Sequence, residues 1–259
     1  TDGSLFPNNM AIGATRNPSL AYKMGLLIGK ECRSIGVHQN YSPVMDVNNN
    51  PDNPIINVRS FGEDPSLVSD MGVNMIKGLQ EGGLIATAKH FPGHGDTDID
   101  SHNDLPVIPY NLDRLLELEL VPFKSAIQSG VGSIMIAHLS LPSLEKDLRV
   151  PASLSPAIIS GLLKYDLNFN GLIVTDALNM SGVTKYFSSS QIAVRCVKAG
   201  IDLILMISNV SDAINAIEIS VKSGEIPESR IDESCKKILD NKIRLGLFQL
   251  HLLHLIRLI

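Results

Sequence analysis

The chain has 259 residues, 44% of them hydrophobic and 19% charged, which is enough apolar side chain for one large domain with a sizeable core. Its 22 basic and 27 acidic residues leave a net charge of −5 and no basic stripe, so it offers no counter-field for phosphates and nucleic acid is excluded as an expected partner. An odd count of cysteines, Cys32, Cys196 and Cys235, argues for reduced thiols, and neither an eighteen-residue apolar run nor a charged-apolar-small leader predicts a membrane span or a signal peptide.

Taken in order, short apolar, β-branched runs alternate with helical patterns, the arrangement of βαβ units around a parallel sheet. The first strand is expected over residues 37–47. A helix follows with Asp64 as N-cap and Pro65 in its first turn, and the second strand is expected over residues 83–91. Leu112, Leu115, Leu116, Glu119 and Phe123 carry the 3.6-residue period of one helix before a third strand over residues 132–139. Ser155 and Pro156 open another helix, a fourth strand runs over residues 171–177, and a fifth over residues 201–206. Ser211 and Gly224 bound the next helix, and Ser229 with Asp232 reads as a capping box. The closing run, residues 249–259, is apolar with His251 and His254 and no cap. It reads as a partner-binding helix or, preferably, as a segment out of context, and metal binding from that histidine pair alone is a poor expectation.

The strands are nearly continuous in apolar residues, which predicts a sheet covered on both faces. Polar residues collect at their carboxyl ends: Asp46 and Asn48, Lys89 and His90, His138, then Asp176 and Asn179. Groups from many strands meeting at one rim are the product of a (β/α)8 barrel, whereas an open doubly wound sheet would gather them at one switch point. Only five strands are legible, so either further strands escape the pattern or the barrel lacks part of itself, and the abrupt start Thr1-Asp2-Gly3-Ser4 favours the second expectation.

The chemistry concentrates in residues 89–102, which hold Lys89, three His (90, 94 and 102) and three Asp (96, 98 and 100). Asp96, Asp98 and Asp100 mimic a calcium loop, but the sixth position is Ser101 instead of Gly and the twelfth Val107 instead of Glu. His90, His94 and Asp96 are zinc-ligand types, yet Pro92 and Gly93 break the helix that would align the two His, leaving a metal as the minor reading. In Asp100-Ser101-His102, alternate residues of an extended segment point the same way, so the carboxylate can hold one ring nitrogen and leave the other for proton transfer. Asp176 ends an apolar strand where an unpaired carboxylate is costly, so it must face a polar cavity or cap the next helix. A carboxylate on one rim loop and an Asp-oriented His on another form a nucleophile and an acid/base for double displacement at a sugar or an acyl carbon.

The run from Lys89-His90-Phe91-Pro92-Gly93-His94-Gly95-Asp96-Thr97 to Asp100-Ser101-His102 and Leu105-Pro106 resembles the signature of the family 3 glycoside hydrolases, in the β-N-acetylglucosaminidase (NagZ-like) branch. Ser42-Pro43-Val44 with Asp46-Val47, Arg59-Ser60-Phe61-Gly62-Glu63-Asp64-Pro65, Ala137-His138, Thr175-Asp176-Ala177-Leu178 and Arg244-Leu245-Gly246-Leu247-Phe248 extend the resemblance from about residue 6 to residue 248. It implies an α/β fold, a (β/α)8 TIM-like barrel over residues 1–248 lacking its first strand and the Asp-bearing sugar-binding loop after it, with residues 249–259 as an atypical tail. It also implies a retaining exo-glycosidase that releases terminal β-linked N-acetylglucosamine. Asp176 matches the nucleophile, His102 oriented by Asp100 the acid/base, and Arg59, Lys89 and His90 the residues that hydrogen-bond sugar hydroxyls. His94, Asp96 and Asp98 are expected to shape the loop, and Asp46 to be structural near the rim. No cofactor and no metal are implied. The expected partner is a small carbohydrate, an N-acetylglucosamine-containing glycan or muropeptide, in a bacterial cytoplasm or periplasm, with a further domain after the barrel in the parent protein. A phosphorylase and a non-catalytic sugar-binding remnant are the alternatives.

Overall fold

The computed structural model describes residues 3–97 and 104–248. Four parallel strands, β1 (Gln39–Asn40), β2 (Ile85–Phe91), β3 (Ser133–Ile136) and β4 (Leu172–Thr175), lie side by side in chain order. The first expected strand is longer than β1, because beyond residue 40 its pairing with β2 breaks down to a hydrogen bond from Thr87 N to Ser42 O, at 2.9 Å, and an isolated bridge from Val44 to Lys89. The fifth, around Leu203, joins through a bridge to Val174: its N–H donates to Ile173 O at 3.0 Å and its carbonyl accepts from Thr175 N at 3.1 Å. Parallel strands in sequential order with helices between them follow the connectivity of a (β/α)8 barrel, and the described strands form a half-barrel of that type.

Every residue of β3 and β4 is buried, as near-continuous apolar strands require when both faces are covered. Before β1 come the short α1 (Asn9–Ala14) and α2 (Pro18–Ser34), between the strands run α3 (Pro65–Glu81), α4 (Leu112–Glu117) and α5 (Leu120–Gln128), and after β4 come the short α6 (Ser181–Thr184), α7 (Ser189–Ala199), α8 (Val210–Lys222) and α9 (Glu228–Arg244). Helices α2 and α3 touch backbone to backbone: a Cβ on Gly78 would stand 2.2 Å from the carbonyl oxygen of Tyr22. Phe91 at the end of β2 meets Phe123 of α5 edge to face, 5.4 Å between centroids, which fixes α5 against the sheet.

The helix starts test the sequence reading. Asp64 caps α3 as expected, its side chain accepting from Ser66 N with Pro65 in the first turn. Ser155 precedes a π-type helix over Ala157–Asp166, but its hydroxyl donates to Glu145 instead of capping. Helix α8 opens at Asn209, whose side chain accepts from Asp212 N, so Ser211 falls inside the first turn. Ser229 lies inside α9 because that helix begins directly after Pro227, and no capping box forms there; the box that does form joins Ser188 and Gln191. The helix expected around residues 112–123 is two, broken at Leu118, where buried Glu119 takes two 2.8 Å hydrogen bonds from Nη1 of Arg114.

Candidate active site

Asp46 follows the Val44 bridge, Lys89 and His90 belong to β2, His138 comes two residues after β3, and Asp176 is the residue after β4. The sheet therefore delivers polar groups from four neighbouring strands to its carboxyl edge. The register of β2 on β3 shifts between Ala88 and Phe91. Successive side chains of a regular strand face opposite ways, yet Lys89 and His90 both line the same cavity of about 220 Å³. Arg59, His94 and Asp176 line it too, together with Tyr41 and Met206. Grooves of about 670 and 700 Å³ lie over α7, α8 and α9, but no strand end contributes to either.

Asp46 organises the floor of this site. Nδ1 of His90 lies 2.7 Å from Asp46 Oδ2, and the backbone N–H of His94 donates to Oδ1 at 2.7 Å. Against a carboxylate, His90 carries its proton on Nδ1, which leaves the Nε2 lone pair toward Nη2 of Arg59, 3.5 Å away. Burial raises the pKa of Asp46, but His90 and His94 more than offset it, and the group stays ionised with a pKa below the usual carboxylate value. Burial also pushes the His94 imidazole down to about 4, with the neighbouring His90 adding to the shift, so His94 is a neutral ring at the cavity wall.

At Asp176 the same contest runs on the other side of the cavity. Burial opposes its charge, while His90, His138, the Ala177 N–H and Lys89 favour it, and its pKa falls below the ordinary carboxylate range. The Ala177 N–H donates to Oδ1 at 2.8 Å. His138 is fixed behind it, Nε2 donating to Ala177 O at 3.0 Å and Nδ1 accepting from the Ser153 hydroxyl at 2.7 Å. Lys89 is pushed to a lower pKa by burial and by Arg59, against the pull of Asp176 and Asp46. Asp176 is thus an ionised, partly buried carboxylate facing a cavity lined by donors. Asn179, expected at the same rim, is exposed and outside the cavity lining.

The family profile described as "Glycosyl hydrolase family 3 N terminal domain" matches residues 1–241. The chain belongs to glycoside hydrolase family 3. Among solved structures, a family 3 β-N-acetylglucosaminidase from Paenibacillus sp. str. FPU-7 superposes with a TM-score of 0.92 at 43% identity, covering 95% of this chain and 47% of that one. Beta-hexosaminidase A of Pseudoalteromonas piscicida is 40% identical over 214 residues, 78% of this chain and 36% of the relative. A protein of Cellulomonas fimi named beta-N-acetylglucosaminidase/beta-glucosidase is 33% identical over 248 residues, 93% of this chain and 44% of the relative. The chain thus spans less than half the length of each of these relatives.

Of the residues matched to the family 3 signature, Asp176, Arg59, Lys89 and His90 meet at one cavity. Asp100 and His102 lie outside the described residues, as does the tail, residues 249–259. Sequence reasoning gave no site role to Tyr41 or Met206, read His94 as shaping the loop or, as a minor option, ligating a metal, and treated Asp46 only as structural. The signal for Asp46 was available, since a carboxylate amid the apolar residues 44–47 needs a buried partner. Met206 carried no such signal, because a methionine next to a strand end reads as core. Among the described residues, no group of three or more His, Cys, Asp or Glu is arranged to hold a metal ion, and no helix is long and apolar enough to cross a membrane.

Proposed function

We propose that residues 1–248 form the catalytic domain of a retaining exo-β-N-acetylhexosaminidase that removes terminal β-linked N-acetylglucosamine from peptidoglycan fragments or related oligosaccharides. The observation that carries this reading is the ionised carboxylate of Asp176 lining one cavity with Arg59, Lys89 and His90. Family membership and the names of the relatives support the choice of sugar.

In the first step a carboxylate oxygen of Asp176 attacks the anomeric carbon. The glycosidic C–O bond breaks, and the leaving oxygen takes a proton from His102. In the second step His102, now neutral and oriented by Asp100, takes a proton from water. The water oxygen attacks the anomeric carbon and releases Asp176, and two inversions give net retention. Arg59 and Lys89 donate hydrogen bonds to sugar hydroxyls, and His90, its Nδ1 proton held by Asp46, accepts one at Nε2. An imidazole acid/base is neutral when it accepts the proton, so it does not repel an anionic group beside the leaving oxygen.

The test is hydrolysis of 4-nitrophenyl β-N-acetylglucosaminide beside the β-glucoside, with and without phosphate. The reading expects turnover of the N-acetyl substrate, a free sugar as product and no acceleration by phosphate. Sugar 1-phosphate as product would replace hydrolysis with phosphorolysis. A folded chain that binds N-acetylglucosamine and turns over neither substrate would support a non-catalytic sugar-binding role.

A further inference from the structure

Asn53 is 1% exposed, and its side-chain amide joins two loops of the rim. On one side its Oδ1 accepts the N–H groups of Ile55, at 2.9 Å, and Ile56, at 2.7 Å, closing the turn that leads to Arg59. On the other side its Nδ2 donates to the carbonyls of His94, at 2.8 Å, and Gly95, at 3.0 Å, and reaches the Thr97 hydroxyl at 3.3 Å. Thr97 is itself buried, its hydroxyl donating to His94 O at 3.1 Å and bonded to His94 Nδ1 at 2.8 Å. One amide therefore uses its acceptor for the Arg59 loop and its donors for the segment that leaves β2, five residues before His102.

Such a tie is informative because a buried amide with both ends satisfied has one orientation. Rotating it would set Nδ2 against two N–H groups and Oδ1 against two carbonyls. A second tie acts in the same direction, Asn49 Nδ2 donating to Asp96 Oδ2 at 2.9 Å. Neither Asn53 nor Thr97 lines the cavity, so neither has a direct contact to offer a sugar.

We propose that Asn53 is a positioning residue for proton transfer: it fixes the chain at residues 94–97, five residues before His102 in sequence, against the loop that carries Arg59 to the cavity. This rests on His102 being the acid/base. Misplacing a reacting group by about 1 Å costs on the order of a hundredfold, so a loosened stem is felt at the proton and not at the nucleophile.

Two variants loosen the loop side of the tie and leave the Arg59 side intact. Asn53→Asp keeps an acceptor for Ile55 and Ile56 and loses the donors to the loop. Thr97→Val is isosteric and removes only the hydroxyl. Each is assayed on a dinitrophenyl glycoside, whose leaving group needs no proton, and on a disaccharide, whose leaving group does, with His102→Ala as reference. The expected result is a kcat on the disaccharide reduced on the order of tenfold or more, a kcat on the dinitrophenyl glycoside within about threefold of the parent, and little change in KM. Amide hydrogen exchange is expected to quicken in the peptide around residues 94–104 of the variants and nowhere else. Equal losses on both substrates, or unchanged exchange in that peptide, would overturn the positioning role. Equal losses in His102→Ala would overturn the acid/base assignment instead, and exchange would still report whether Asn53 ties the loop.

Discussion

Asp46, two residues past the Val44 bridge, and His90 of β2 hold Oδ2 and Nδ1 2.7 Å apart, both buried, and this pair determines which nitrogen of His90 faces the cavity. The same carboxylate takes the His94 N–H, so one side chain sets both a ring tautomer and the turn that starts the following loop. Removing it leaves a buried ring N–H and a buried backbone N–H unpaired. We expect Asp46→Ala to lower stability by about 3–5 kcal/mol and to raise KM for the sugar, as measured by urea unfolding and steady-state kinetics. An unchanged KM in a folded variant would mean that His90 keeps its orientation without Asp46.

Asp176→Ala should abolish turnover of glycosides whose leaving groups need protonation. With a dinitrophenyl glycoside, azide should restore release and give a glycosyl azide of inverted configuration, because the anion attacks from the face the carboxylate occupied. Product configuration is read by proton NMR. Failure of azide, in a variant that still binds N-acetylglucosamine, would assign the carboxylate a role other than attack.

The buried His94 makes stability depend on pH in a definite direction. Its ordinary value is 6.5 and its folded value about 4, so between them the unfolded chain binds a proton that the folded chain does not. Stability from this group is therefore fully present above about 6.5 and falls as pH drops toward 4, by at most about 3 kcal/mol. His94→Asn, which cannot titrate, should flatten that slope in chemical unfolding series between these limits. An identical slope in the variant would place the linkage elsewhere.

Gly95 lies where the loop crosses the end of the first strand, and a Cβ there would stand 1.7 Å from the carbonyl oxygen of Val47. Since both partners are backbone, neither can turn aside. Gly95→Ala should displace the stem of residues 94–97 and reduce kcat/KM on disaccharides by tenfold or more, on the order expected for a misplaced proton donor. A variant with parental kinetics would show that the strand end gives way at no cost.

The fold was legible where physics is local. Five apolar runs with helices between them read as parallel strands because burial on both faces leaves no alternation to confuse the pattern. Asp64 with Pro65 was readable as a helix start for the same reason, since a cap satisfies its own neighbours. Ser211 and Ser229 misled because better-placed starts, Asn209 and the residue after Pro227, stand within two residues of each. The break at Leu118 depends on Arg114 reaching Glu119, which periodicity cannot express. In the site, Asp176, Lys89 and His90 were readable as charges at strand ends. Asn53 was not, because an asparagine in a Pro- and Asn-rich stretch looks like any turn residue until its amide is seen to span two loops.

The central claim is that Asp176 forms the bond to the sugar, and covalent trapping tests it most directly. The protein is incubated with a fluorinated N-acetylglucosaminyl fluoride that forms the glycosyl-enzyme faster than water releases it, and the digest is mapped by mass spectrometry. The account predicts one adduct of the sugar's mass on the peptide containing Asp176, absent from Asp176→Ala. An adduct on another carboxylate would contradict it.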